Sequence, residues 1–184
     1  LAELWERDLP FLVIEPAKSE YRAPLHSPLG AALQVYTLGD ESVAPFRLNP
    51  LEILEGVRVE SHMSSLRACF EAALPSFGGL PSLIEESLHE VYLGKGWELV
   101  DRAEADDRRL MPTLGDLYHE IVRVSEERGY SEKTLQDIRA AAAGRIGTLL
   151  RGSKGRMLNV SRSLPFGRLM TAPTVLELES LNPD

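Results

Sequence analysis

Hydrophobic and polar positions along the 184 residues fall into two kinds of pattern. Toward both ends the apolar runs are short and bounded by turn formers, whereas between them apolar residues recur at the three- and four-residue spacing of helices. Leu1, Leu4 and Trp5 share one helical stripe that stops by Asp8. Pro10-Phe11-Leu12-Val13-Ile14-Glu15-Pro16 then sets four apolar residues between prolines that would each break a longer helix, so a buried strand is predicted over 11–15. Pro24 and Pro28-Leu29-Gly30 mark a loop, Leu33 to Leu38 alternates as a second strand, and Val43 to Pro50 runs extended. A third strand is predicted over Thr174 to Glu179. These three belong to one sheet, at least partly parallel, with the first two adjacent.

From Ser61 the period becomes helical, with Met63, Leu66, Cys69, Phe70, Ala73 and Leu74 on one stripe until Pro75. Cys69 reads there as a small buried core residue. Phe77-Gly78-Gly79 is a turn. Ser82 to Glu85 has the capping-box pattern and opens a helix that carries Ile84, Leu88 and Val91 and closes at Gly94-Lys95-Gly96. Glu98 to Arg109 is acid-rich and reads as a surface linker. Thr113 to Asp116 begins a helix with Leu117, Ile121 and Val124, and Ser131 caps a longer one with Leu135, Ile138, Ala142, Ile146, Leu149 and Leu150. The expected helical core is Met63, Leu66, Phe70, Leu88, Ile121, Ile138 and Ile146. Gly152-Ser153-Lys154-Gly155 reads as a loop.

Composition narrows the class. With 43% hydrophobic and 26% charged residues the chain is a folding, globular one, long enough for one domain with a subdomain. A single cysteine excludes an internal disulfide, and His26, His62, His89 and His119 contain no pair at helical metal-ligand spacing, so no metal site is expected. No apolar run is long enough to span a bilayer, and the cytoplasm is the expected compartment. The net charge of −8 is unevenly placed: residues 138–176 hold seven basic residues and no acidic one, while the rest, with 13 basic against 28 acidic residues, carries −15. Such asymmetry suits an anionic partner, or an acidic neighbouring surface.

Two groups of residues are candidates for chemistry. Ligands of parallel α/β sheets sit at the carboxyl ends of strands, which singles out Glu15, Lys18, Glu20 and Arg22; the other reading is a capped strand followed by a solvated turn. Arg151, Lys154 and Arg156, around Gly152 and Gly155, are candidates for binding a polymer or for reaching a neighbour's nucleotide as a finger residue.

Several stretches together resemble bacterial ATP-binding proteins of the HerA/FtsK superfamily, RecA-like motor ATPases that include relatives of conjugative-transfer ATPases and DNA translocases. They are Pro10 to Arg22, Tyr36-Thr37-Leu38-Gly39, Arg47-Leu48-Asn49-Pro50, Leu80 to Tyr92 and Pro173 to Leu178. The resemblance implies an α/β fold: a partial RecA-like parallel sheet from 1–56 and 151–184, with a helical insertion subdomain at 57–150. It implies ATP and Mg as cofactors of the whole protein, a ring-forming homo-oligomer, and DNA or another polymer as the thing moved. The family's phosphate loop and Walker B strand are expected outside this chain, which contains no Gly-x-x-x-x-Gly-Lys-Ser/Thr. The 184 residues are thus expected to be an interior piece with no catalytic residue of its own, inactive alone. The alternative is a non-enzymatic helical module for protein or nucleic-acid binding.

Overall fold

The computed structural model describes residues 1–16, 20–42, 44–73, 80–105 and 107–181, so Lys18, Pro75 and Gly78-Gly79 lie outside the described residues. The chain forms two units, Leu1–Leu48 with Ser163–Asp184, and Asn49–Arg162. In chain order the first unit opens with helix α1 (Ala2–Glu6), strand β1 (Leu12–Glu15), 3-10 turns at Glu20–His26 and Pro28–Ala31, and strand β2 (Gln34–Thr37). The second unit supplies α2 (Val59–Ala73), α3 (Leu80–Leu93), α4 (Leu114–Glu127), α5 (Glu132–Leu149) and α6 (Gly152–Leu158). The chain then returns to the first unit for α7 (Phe166–Thr171) and β3 (Thr174–Glu177).

The three strands form one parallel sheet in the order β1-β3-β2. The first two strands are therefore not adjacent, against expectation, because β3 lies between them. All four β3 residues are buried, so the strand covered on both faces takes the centre, while β1 at the edge leaves Ile14 61% exposed. Register aligns Val13, Val175 and Val35 across the sheet. These valines pack with Leu1, Trp5, Phe11, Tyr21, Leu29 and Leu33, which joins the α1 stripe and the two 3-10 turns to one face. Pro10 and Pro16 flank β1 and Pro173 precedes β3, positions at which a missing N–H and fixed φ are tolerated.

In the helical unit each long helix packs on the next in sequence. Leu66, Leu88, Ile121 and Ile146 are buried as expected, with Met63, Phe70 and Ile138 half-buried against them. Phe70→Ala is accordingly expected to cost about 1–2 kcal/mol, below the 3–5 of a fully buried phenylalanine; urea denaturation of the variant measures it, and a cost near 4 would contradict the half-buried placement. Cys69 is exposed rather than buried. Among the described residues α2, at the edge of the row, packs chiefly on α3, so its buried stripe is too narrow to take in the position three residues after Leu66.

The helix ends carry the expected devices, with two changes. Thr113 and Asp116 form a reciprocal capping box on α4, and the Ser131 hydroxyl caps α5. Helix α3, however, begins at Leu80 and takes Pro81 into its first turn, where a missing N–H costs nothing. The acid-rich segment 98–109 is not simply a surface linker. Ala103 N and Gly56 N exchange bonds with the carbonyls of Val57 and Ala103, while Asp101 O and Leu99 O accept from the first amides of α2, Val59 N and Glu60 N, at 3.0 and 3.1 Å. These carbonyls satisfy helix-end donors that would otherwise be orphaned.

Candidate functional site at the carboxyl end of the sheet

Each strand is an apolar run that ends in a polar residue, and parallel register brings those endings into one row: Glu15 of β1, Glu177 of β3 and Thr37 of β2. They lie two residues beyond the valine row and so project to the same face. The 3-10 turn Glu20–His26 carries Arg22 onto this row. Its Nε donates to Glu177 Oε1 at 2.8 Å and its Nη2 to Glu177 Oε2 at 2.7 Å, a bidentate fork. Nη2 also donates to Thr37 Oγ1 at 2.9 Å, and the Thr37 hydroxyl donates to Glu177 Oε2 at 2.8 Å.

Glu177 is fully buried, whereas the Arg22 side chain is about half exposed (53%). The arginine's bonds, aided by Thr37, hold the Glu177 carboxyl below the usual glutamate range against the opposing effect of burial. In return Glu177, with weaker contributions from Asp40 and Glu15, keeps the guanidinium charged. Asp40, just past β2, is itself held low by Ser42, whose hydroxyl and amide donate to it at 2.6 and 2.8 Å. Arg22 Nη1 makes no hydrogen bond among the described residues, so the fork is anchored on one edge and open on the other. That arrangement is suited to an anion approaching from solvent.

Of the residues expected at this end, Glu15 is buried and its Oε1 accepts from Glu20 N at 2.9 Å, which fixes the start of the 3-10 turn. Glu15 Oε2 is buried with no hydrogen-bond partner among the described residues. Glu20 thus contributes its backbone amide, while Lys18 lies outside the described residues. Glu15 anchors the turn, and that turn delivers Arg22. Glu177 and Thr37 were not anticipated. The available signal was that all three apolar runs end in a polar side chain, but only register reveals that the endings coincide.

Arg151, Lys154 and Arg156 fall in the other unit, and not on a loop: 152–158 is helix α6, with Arg151 at its N-cap. The glycines serve packing here. Gly155 approaches so closely that a Cβ would stand 2.2 Å from Leu150 O, and Gly152 takes a φ of +56° at the turn from α5. Arg151 and Arg156 are exposed and Lys154 is half-buried. Among the described residues no three His, Cys, Asp or Glu side chains are grouped to hold a metal, and no helix is long and apolar enough to cross a membrane.

No protein-family model matches the sequence, and comparison with curated proteins finds no relative. Among solved structures the chain is similar to VirB4 of Thermoanaerobacter pseudethanolicus, with a TM-score of 0.66 at 16% identity. The match covers 98% of this chain and 45% of that one, so the chain spans less than half the length of VirB4. At this identity the likeness is one of fold, and it extends over both the strands and the helical unit: the chain has the α/β fold of part of VirB4.

Proposed function

We propose that the chain is part of a nucleotide-driven motor ATPase of the VirB4 kind, within the HerA/FtsK superfamily, and that the carboxyl end of its sheet faces the nucleotide. The observation that carries this reading is the row Glu15–Glu177–Thr37 with Arg22 forked over it, at the position where parallel α/β sheets hold their ligands. The fold likeness to VirB4 supports it. In this reading Glu177 and Thr37 fix the guanidinium, and its open edge stabilises charge on the transferring phosphoryl group. ATP and Mg are bound chiefly by residues outside these 184, which contain no Gly-x-x-x-x-Gly-Lys-Ser/Thr phosphate loop. A RecA-like sheet, a cytoplasmic homo-oligomeric ring and movement of DNA or another polymer belong to the same reading of the whole protein.

The test is ATP turnover by the full-length protein that carries these residues, with Arg22→Lys and Glu177→Gln beside the unchanged form. Lysine keeps the charge and loses the fork, so kcat is expected to fall about tenfold to a hundredfold with the thermal midpoint little altered. The isolated 184 residues are expected to show no turnover. Unchanged kcat in both variants, or robust hydrolysis by the 184 residues alone, would overturn the reading.

A further inference from the structure

Between α2 and α3 a groove of about 440 Å³ opens on the surface of the helical unit. The buried Leu88 and the half-buried Met63 and Leu99 form its floor. Leu99 is fixed in place by its carbonyl, which accepts from Glu60 N at 3.1 Å. Glu60 and Glu71 stand on the α2 wall and Glu85 on the α3 wall, so the apolar floor has an acidic rim. From Glu60 to Glu71 the wall runs about three turns of helix, or about 16 Å.

Arg67 is the cation in this groove, and it is already engaged. Its Nε donates to Glu71 Oε1 and its Nη1 to Glu85 Oε2, each at 3.0 Å, which straps one wall to the other. All three side chains are about half exposed, so a competing cation can reach both carboxylates. Three carboxylates against one guanidinium leave the rim negative.

We propose that this groove docks a basic amphipathic helix of another protein. Its apolar side chains rest on the Met63, Leu88 and Leu99 floor, and its lysines or arginines meet the glutamate rim. Charge complementarity selects the occupant, since the rim repels a nucleic acid or an anionic membrane surface. The walls select its conformation. Both are helices whose backbone groups bond internally, so an extended peptide would find no main-chain partners, whereas a helix satisfies its own backbone and offers side chains alone. Arg67 holds the place that a cation of the partner takes between Glu71 and Glu85. The groove lies in the helical unit and is independent of the nucleotide reading.

Fluorescence anisotropy tests this with the 184-residue chain and a labelled peptide of about 18 residues, long enough to form a helix, with leucine on one helical stripe and lysine elsewhere. A Kd of about 1–100 μM is expected, weakening as NaCl is raised. The same composition with the leucine stripe scrambled is expected to bind at least about tenfold more weakly. Ala68, exposed in the groove, becomes an obstacle of the wrong charge in Ala68→Arg, which is expected to weaken binding about tenfold or more. Ala140→Arg adds the same charge at an exposed position of α5 and is expected to change affinity less than about twofold. Arg67→Gln releases both carboxylates and is expected to tighten binding about threefold to tenfold. Helical circular dichroism checks that each variant is folded, and the comparison of the two peptides on the unchanged chain needs no variant. Equal binding of the striped and scrambled peptides, equal losses in Ala68→Arg and Ala140→Arg, or a Kd weaker than about 1 mM would overturn the proposal. So would self-association of the chain that Ala68→Arg abolishes and that excludes the peptide, which would give the groove to a second copy.

Discussion

Trp97→Ala is expected to destabilise the helical unit by about 3–5 kcal/mol, the largest effect of any single truncation in it. Trp97 follows Gly96, whose φ of +82° turns the chain out of α3, and its ring is completely buried. Its indole N–H donates to Leu110 O at 3.0 Å, and the guanidinium of Arg109 lies 3.7 Å over its centroid. Asp101 and Asp107 hold that guanidinium from outside, and Asp107 is itself held down to about 2 chiefly by its bonds to Arg109. Alanine would leave a large cavity, an unpaired carbonyl and an arginine without its platform. Trp97→Phe keeps most of the volume and loses the N–H bond, so it is expected to cost about 1–2 kcal/mol. Urea denaturation followed by circular dichroism measures both, and a cost under about 1 kcal/mol for Trp97→Ala would show that the ring is not part of the core.

Arg22→Ala is expected to cost about 2–4 kcal/mol at pH 7, because it leaves the buried Glu177 carboxylate with Thr37 as its remaining side-chain donor. The half-exposed arginine lets water recover part of the loss, which keeps the figure below that of a fully buried pair. The effect depends on pH. Glu177 is depressed below the ordinary glutamate value of 4.5, so its contribution is complete above about pH 4.5 and is lost as the pH falls through the folded-state value. The gap between the unchanged chain and Arg22→Ala is therefore expected to narrow on acidification, and Glu177→Gln in the Arg22→Ala background to recover part of the loss. A pH-independent gap would mean that Arg22 acts through packing rather than through charge.

What could be read from the chain was what local pattern determines. The three strands, the caps at Thr113 and Ser131 and most of the helical core follow from periodicity and turn chemistry within a few residues of each position. Strand order did not follow, because pairing over more than a hundred residues is decided by which strand is covered on both faces. Helix α6 was missed for the opposite reason: Gly-Ser-Lys-Gly has weak helical propensity, and the helix exists because Gly155 packs where no side chain fits and Met157 is buried. At the sheet end the sequence pointed to Glu15 and Arg22. The partners that give Arg22 its orientation, Thr37 and Glu177, lie 15 and 155 residues away.

Where the chain leaves the strand-bearing unit and where it returns to it, the two passages run side by side. On one side of the crossing Leu164 N donates to Arg47 O at 2.9 Å; on the other the buried Asn49 amide donates to Pro112 O at 2.9 Å and to Ser161 O at 3.3 Å. An excursion of more than a hundred residues is thus stapled shut at its base in both units. Sheet register is then indifferent to the size of what lies beyond the staple, since β2 and β3 are joined as if by a short connection. The helical unit can be lengthened, shortened or replaced while Glu177 stays aligned with Thr37, so its surface is free to change independently of the residues that hold Arg22.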